Sequence, residues 1–295
     1  MNAATEFDLG PLTWVKGEID QALGRATEAL DRFAQAGEAT QLRFCRTHVH
    51  QVHGALDIVG LDGLPLLTES LEAVLLALEE GRLNFAPEVQ EALTEALQTL
   101  TQYLDDLMTG EPHQPLRILP ACSRLAVLRG LPPLQAADLF FPDLSQRPPR
   151  SSLQPPSLSA EELKNVLKKQ RSRFQRGLLL WLKQRESAVE GRQLMFDAVA
   201  AIEAVQQSSG ARSFWWVAQA FLESLDQPGF ADEAALRQMC SRIDQQIRRQ
   251  VEGSGNVAER VMREALYFVG LAPATENSLV AQAQQLYALP ALLPA

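Results

Sequence analysis

Apolar side chains recur at intervals of three and four along most of this sequence. Val15, Ile19, Leu23, Ala26, Leu30 and Phe33 keep that spacing, which predicts an amphipathic helix over 12–33. Leu42, Cys45, Val49, Val52, Leu56 and Val59 repeat it with offsets of three, four, three, four and three. The break at Gly60-Leu61-Asp62-Gly63 then closes the second helix. Two more helices are predicted over 64–80 and 87–107, the former ending at Gly81, and a shorter one over 116–128 that stops at Gly130. In the second half, Ser159-Ala160-Glu161-Glu162 has the form of a capping box and predicts a helix through about Arg185. Further helices are predicted over 191–207, 211–226, 231–251 and 255–269. No run alternates with period two beside a hairpin turn, so no strands are expected.

Phe141 to Leu158 interrupts this pattern. Its five prolines lack amide donors and restrain the residues before them, so the stretch cannot hold a helix. The predicted fold class is all-α, with two antiparallel helical bundles. Residues 1–141 form four helices and an extra one, 142–158 a Pro/Ser-rich linker, and 159–295 a second bundle.

Composition narrows the function classes. A chain of 295 residues with 46% hydrophobic and 21% charged residues has enough apolar material for two cores. The longest apolar runs, such as Leu178 to Leu182, are far below the roughly 20 residues of a membrane span. Glu6 and Asp8 stand where a signal peptide would be basic. No membrane insertion is expected, and a cytoplasmic location follows. Cys45, Cys122 and Cys240 are odd in number and widely spaced, as free thiols in a reducing compartment would be. The net charge of -9 argues against nucleic-acid binding. It is uneven: residues 1–150 carry 21 acidic and 11 basic side chains, and residues 151–295 carry 15 and 16. The basic stretch from Lys164 to Arg185 reads as a solvated helix face before it reads as a patch for nucleic acid or an acidic partner. Of the adjacent Trp215 and Trp216, about 100° apart on a helix, one is expected in the core and the other in the core or at an interface.

Candidate chemistry is concentrated in one place. His48, His50 and His53 fall within six residues, and the second half has no histidine. The buried stripe of 42, 45, 49, 52, 56 and 59 puts Arg46, His50, His53, Gly54 and Asp57 on the opposite, exposed strip. A mid-helix glycine costs about 1 kcal/mol relative to alanine. Gly54, one turn from His50, has a compensating use: it removes a side chain and lets another molecule approach that imidazole. A metal site is disfavoured. His50 with His53, and Cys45 with His48, have ligand-like spacing, but Cys45 lies on the buried stripe and the four cannot converge.

This constellation resembles the histidine phosphotransfer (Hpt) domain, whose phosphoacceptor His is followed by Lys at +3, Gly at +4, a small residue at +5 or +6, and often Gly at +10. After His50 come Gly54, Ala55 and Gly60 at the matching positions. The sequence departs from the pattern at His53, which replaces the Lys, and at Leu56, where a small residue is usual. Longer stretches look like the N-terminal region of ChpA/PilL-type hybrid histidine kinases, and like the stand-alone FimL proteins that share it. These stretches are Pro11 to Ile19, Leu42 to Leu56, Leu64 to Val74, Leu139 to Leu144, Arg171 to Lys183 and Phe214 to Leu225. The C-terminal Leu279 to Ala295 is similar to the connector into further phosphotransfer modules, so a fragment of a longer chain is expected.

The resemblance implies an exposed phosphoacceptor at His50 with His53 and Gly54 as its neighbours. It implies a response-regulator receiver domain or a kinase core as partner, the partner bringing magnesium and acid–base groups. The setting would be two-component control of type IV pili and twitching motility, in the cytoplasm and at the pole. No cofactor, bound metal or Gly-rich nucleotide loop is implied, so this segment has no kinase active site, although the full-length proteins it resembles are histidine kinases. A second reading is a phosphorylation-independent scaffold that recruits pilus-regulatory or polar-localisation proteins. The pair His50 and His53 separates the two.

Overall fold

The computed structural model describes residues 9–149, 154–183, 187–227 and 229–294. Among these residues it contains 12 α-helices and no strand, the all-α architecture that the periodicity predicts. Contacts divide the chain into two compact units, the first reaching Phe140 and the second spanning Phe141–Leu293.

The first unit is built from α1 (Gly10–Ala36), α2 (Ala39–Val59), α3 (Leu64–Glu79), α4 (Pro87–Met108) and α5 (Leu119–Leu128). Gly37 and Gly60 end α1 and α2 at φ of 68° and 75°, a left-handed conformation that glycine adopts without a Cβ penalty. These short turns fold successive helices back on one another. Helix α1 packs on α2 and α4, α2 on α3, and α3 on α4, closing a four-helix bundle, while α5 lies against α3 and α4. The α2 stripe is buried at all six predicted positions. Helix α2 packs between α1 and α3, where Leu67, Leu71, Val74 and Leu75 of α3 and Leu23, Ala26 and Leu30 of α1 are likewise buried. Each fully buried aliphatic side chain contributes roughly 1.5–3 kcal/mol relative to exposure, so this stripe decides which face α2 turns outward. Ion pairs tie the helices at the rim: Lys16 of α1 reaches Asp105 of α4 at 2.6 Å, and Arg124 of α5 pairs with Glu91 of α4 at 2.5 Å.

The second unit holds α6 (Ala160–Lys183), α7 (Ala188–Ala204), α8 (Ser209–Ser224), α9 (Glu233–Val251), α10 (Glu259–Leu271), α11 (Leu279–Leu286) and α12 (Leu289–Leu292). The capping box forms: the Ser159 amide donates to Glu162 Oε2 at 2.8 Å, and the Glu162 amide donates to Ser159 Oγ at 3.3 Å. Helix α6 is described to Lys183, and the predicted end near Arg185 lies outside the described residues. Helices α6 and α7 cross in near backbone contact, since a Cβ added to Gly177 would sit 2.5 Å from the Gly191 carbonyl oxygen. Helix α8 is buried continuously from Ser213 to Leu222, with α7, α10 and α11 around it. Both Trp215 and Trp216 are therefore core residues, because a helix enclosed on all sides has no outward face.

The C-terminal region adds helices beyond those that the periodicity predicts. Residues 279–292 form α11 and α12, which pack onto α8 and α10. Glu223 accepts the Val280 amide at 2.9 Å, and Gln284 donates to the carbonyls of Val269 and Ala272 at 2.8 Å. Helix α11 has only eight residues, below the length at which periodicity alone reveals a helix. In the Pro-rich segment, described from 141 to 149 and from 154 to 158, no helix forms. Arg212 and Gln207 donate to its Pro149 and Pro156 carbonyls at 2.7 and 2.9 Å. Among the described residues no helix is long and apolar enough to cross a membrane.

Candidate functional site

Helix α2 positions the histidines, because burial of its apolar stripe leaves one turn-by-turn strip outside. His50 projects from that strip with 72% of its side chain exposed, at mid-helix. His53, one turn on, is only 17% exposed and leans toward α3. The two rings lie nearly parallel, 14° apart with centroids at 6.2 Å. Gly54 is exposed, and a Cβ added there would meet no atom of the chain within 4 Å. The predicted trio thus shares one face, with His50 and Gly54 facing outward and His53 set lower. His48 lies apart, its Nδ1 3.1 Å from Gln51 Oε1.

Helix α3 completes the site with residues that the motif does not contain. Glu72 Oε2 and Oε1 lie 3.2 and 3.3 Å from His50 Nδ1. A carboxylate there accepts from an Nδ1–H, which makes Nε2 the ring nitrogen that carries the lone pair outward. Thr68, fully buried, lies with its hydroxyl oxygen 2.9 Å from His53 Nδ1, and it also reaches the Pro65 carbonyl at 2.8 Å. On the other side of the ring, His53 Nε2 is 3.3 Å from Asp57 Oδ2. Arg46 donates to Glu79 at 2.7 Å, so the guanidinium nearest to His50 on its own helix is already engaged by a carboxylate. Arg46, His50, His53 and Glu72 border a shallow cleft of about 270 Å3 between α2 and α3, with Glu69 and Leu76 on its α3 wall.

Glu72 and Thr68 follow His50 and His53 by 22 and 15 residues. Sequence reasoning missed both. The signal present was that α3 is apolar on most faces, so its few polar side chains between Leu67 and Leu76 have to face a partner or water. Cys45 is 1% exposed, burial pushes its thiol up to about 12, and no group of three or more potential ligands exists among the described residues. All three cysteines are free and buried.

Comparison with known proteins matches both units. The Hpt domain family matches residues 12–103, and the family described as FimL scaffold protein second domain matches residues 159–295. Scaffold protein FimL of Pseudomonas aeruginosa is 25% identical over 264 residues, covering 88% of this chain and 46% of that protein. The chain thus spans about half the length of the curated relative it matches. No solved structure matches it. The first unit is thus similar to the Hpt domain, and the second unit is similar to the second domain of FimL scaffold proteins.

Proposed function

We propose that the first unit is a phosphotransfer module in which His50 is the phosphoacceptor, working in a chemosensory circuit of the ChpA/PilL type that controls type IV pili. The observation that carries this reading is the exposed His50 ring, held at Nδ1 by Glu72, with the open surface of Gly54 one turn away. In such a module Nε2 attacks the phosphorus of an aspartyl phosphate or of a kinase-bound phosphoryl donor. A P–N bond forms, the P–O bond to the leaving carboxylate or nucleotide breaks, and the imidazole becomes positively charged while Nδ1–H stays on Glu72. That carboxylate stabilises the developing charge. Magnesium and the remaining acid–base groups come from the receiver domain or kinase core that docks over Gly54. His53 and Gly54 are the flanking site residues, and the module acts in the cytoplasm, at the pole.

A specific observation favours a second reading, that of a phosphorylation-independent scaffold. The cleft holds Glu69 and Glu72, Asp57 lies beside His53, and Arg46 is bound to Glu79, so among the residues lining the cleft no uncommitted fixed cation stands beside a phosphoryl group on His50. The relative FimL is named a scaffold protein. Incubation with a cognate kinase core or a phosphorylated receiver separates the two readings. Phosphotransfer predicts acid-labile label on the wild type, none on His50→Gln at unchanged helicity, and more on His53→Lys. An unlabelled wild type, with the partner still bound, supports the scaffold.

A further inference from the structure

The outer face of α6 is the most unusual surface of the chain. From Leu163 to Lys183 the helix carries seven cations and no carboxylate, in a protein whose net charge is -9. Two of the seven are absorbed by the bundle: Arg171 pairs with Asp244 of α9 at 3.0 Å, and Arg173 with Asp197 of α7 at 2.6 Å. Lys164, Lys168, Lys169, Arg176 and Lys183 are exposed and make no ion pair among the described residues.

Leucines stand among these cations. Leu179 is 54% exposed and Leu182 is 42% exposed, and Val189 at the start of α7 is 64% exposed. At 100° per residue, Lys168, Arg176, Leu179 and Lys183 fall within about 80° of one another, opposite the buried Leu167, Phe174 and Gly177. The exposed Glu190 is the acidic side chain of the first turn of α7.

We propose that this face docks on an anionic lipid surface, with Leu179, Leu182 and Val189 entering the headgroup–acyl boundary and the five cations ringing the contact. Charge complementarity argues for an anionic partner. The outer side of a helix is convex, and long lysine and arginine stems that cover apolar surface while keeping their charges wet match a flat, deformable interface. Lysines and arginines near an anionic leaflet are drawn to it over about a Debye length. No membrane crossing is involved, and the surface is independent of His50.

Co-sedimentation of the full chain with vesicles tests this. The wild type is expected to sediment with phosphatidylglycerol vesicles at low salt, to be released by high salt, and to ignore phosphatidylcholine vesicles. The combined variant Lys168→Glu, Arg176→Glu, Lys183→Glu is expected to lose binding with its helicity unchanged. Leu179→Ser with Leu182→Ser is expected to weaken binding about tenfold. The proposal is overturned if the wild type ignores phosphatidylglycerol vesicles, including the case in which it binds soluble polyglutamate instead and the face fits an acidic protein. It is also overturned if the charge-reversed variant or the leucine variant binds as the wild type does.

Discussion

Gly54 combines a local penalty with an open surface. Because no atom of the chain lies within reach of a Cβ at that position, Gly54→Ala is expected to stabilise the first unit by about 1 kcal/mol through helix propensity alone, raising its thermal midpoint by a few degrees. A larger side chain, Gly54→Leu, is expected to keep that stability and slow phosphotransfer, because it occupies the approach to His50. Equal transfer rates for Gly54→Leu and wild type would remove Gly54 from the docking face. His113 gives the pH dependence. Its Nδ1 lies 2.9 Å from the Tyr103 hydroxyl, and burial holds the imidazole below its ordinary value of 6.5, against an opposing pull from Asp62. As pH falls through 6.5 the unfolded chain takes up a proton that the folded chain resists. Stability is therefore full above that value and declines below it, until the folded imidazole also protonates. Urea midpoints of the first unit are expected to fall between about pH 7 and about pH 5, and the slope is expected to be shallower in His113→Gln.

At the scale of elements, the crossing of α6 and α7 is the most constrained contact. A Cβ on Gly177 would lie 2.5 Å from the Gly191 carbonyl oxygen and 2.9 Å from the Met195 amide nitrogen, both backbone atoms that cannot rotate away. Gly177→Ala is expected to separate the helices and cost about 1–3 kcal/mol, read as a lower urea midpoint, despite the better helix propensity of alanine. The contrast with Gly54 is a test in itself: the same substitution in two helices is expected to have opposite signs. Helix α8 shows a related effect of enclosure. Its Trp215 and Trp216 point in different directions, yet both are buried because neighbours stand on every side.

For the whole molecule, charge and backbone accessibility divide the chain. The acidic side chains concentrate in the first unit, while the second is nearly neutral overall and carries seven of its cations on α6. Between Gln146 and Pro156 no helix forms among the described residues, and the side chains of Arg212 and Gln207 hold two of its carbonyls. Proteases bind extended, unpaired backbone, so limited proteolysis is expected to cut first in this stretch and to release two helical fragments. Primary cleavage inside either bundle, with this stretch intact, would refute two independently folding domains.

The α2 stripe was legible because helical periodicity is local: six apolar residues at offsets of three and four determine both the helix and its outward face, and with them the exposure of His50. The same held for the box of Ser159 and Glu162, whose partners lie three residues apart. Three features needed the tertiary structure. Glu72 meets His50 and Thr68 meets His53 only because α2 and α3 pack in one register, which the apolar side chains buried on both helices set. Helix α11 is too short to persist by propensity, and it stands where Glu223 accepts the amide of Val280 in its first turn and its own Gln284 donates to the carbonyls at the end of α10. Trp216 is core rather than surface because α7, α10 and α11 surround α8. A helix and its amphipathic face are properties of consecutive residues. Which polar atoms meet across two helices depends on how apolar side chains distant in sequence fill the space between them, and no window along the chain contains that information.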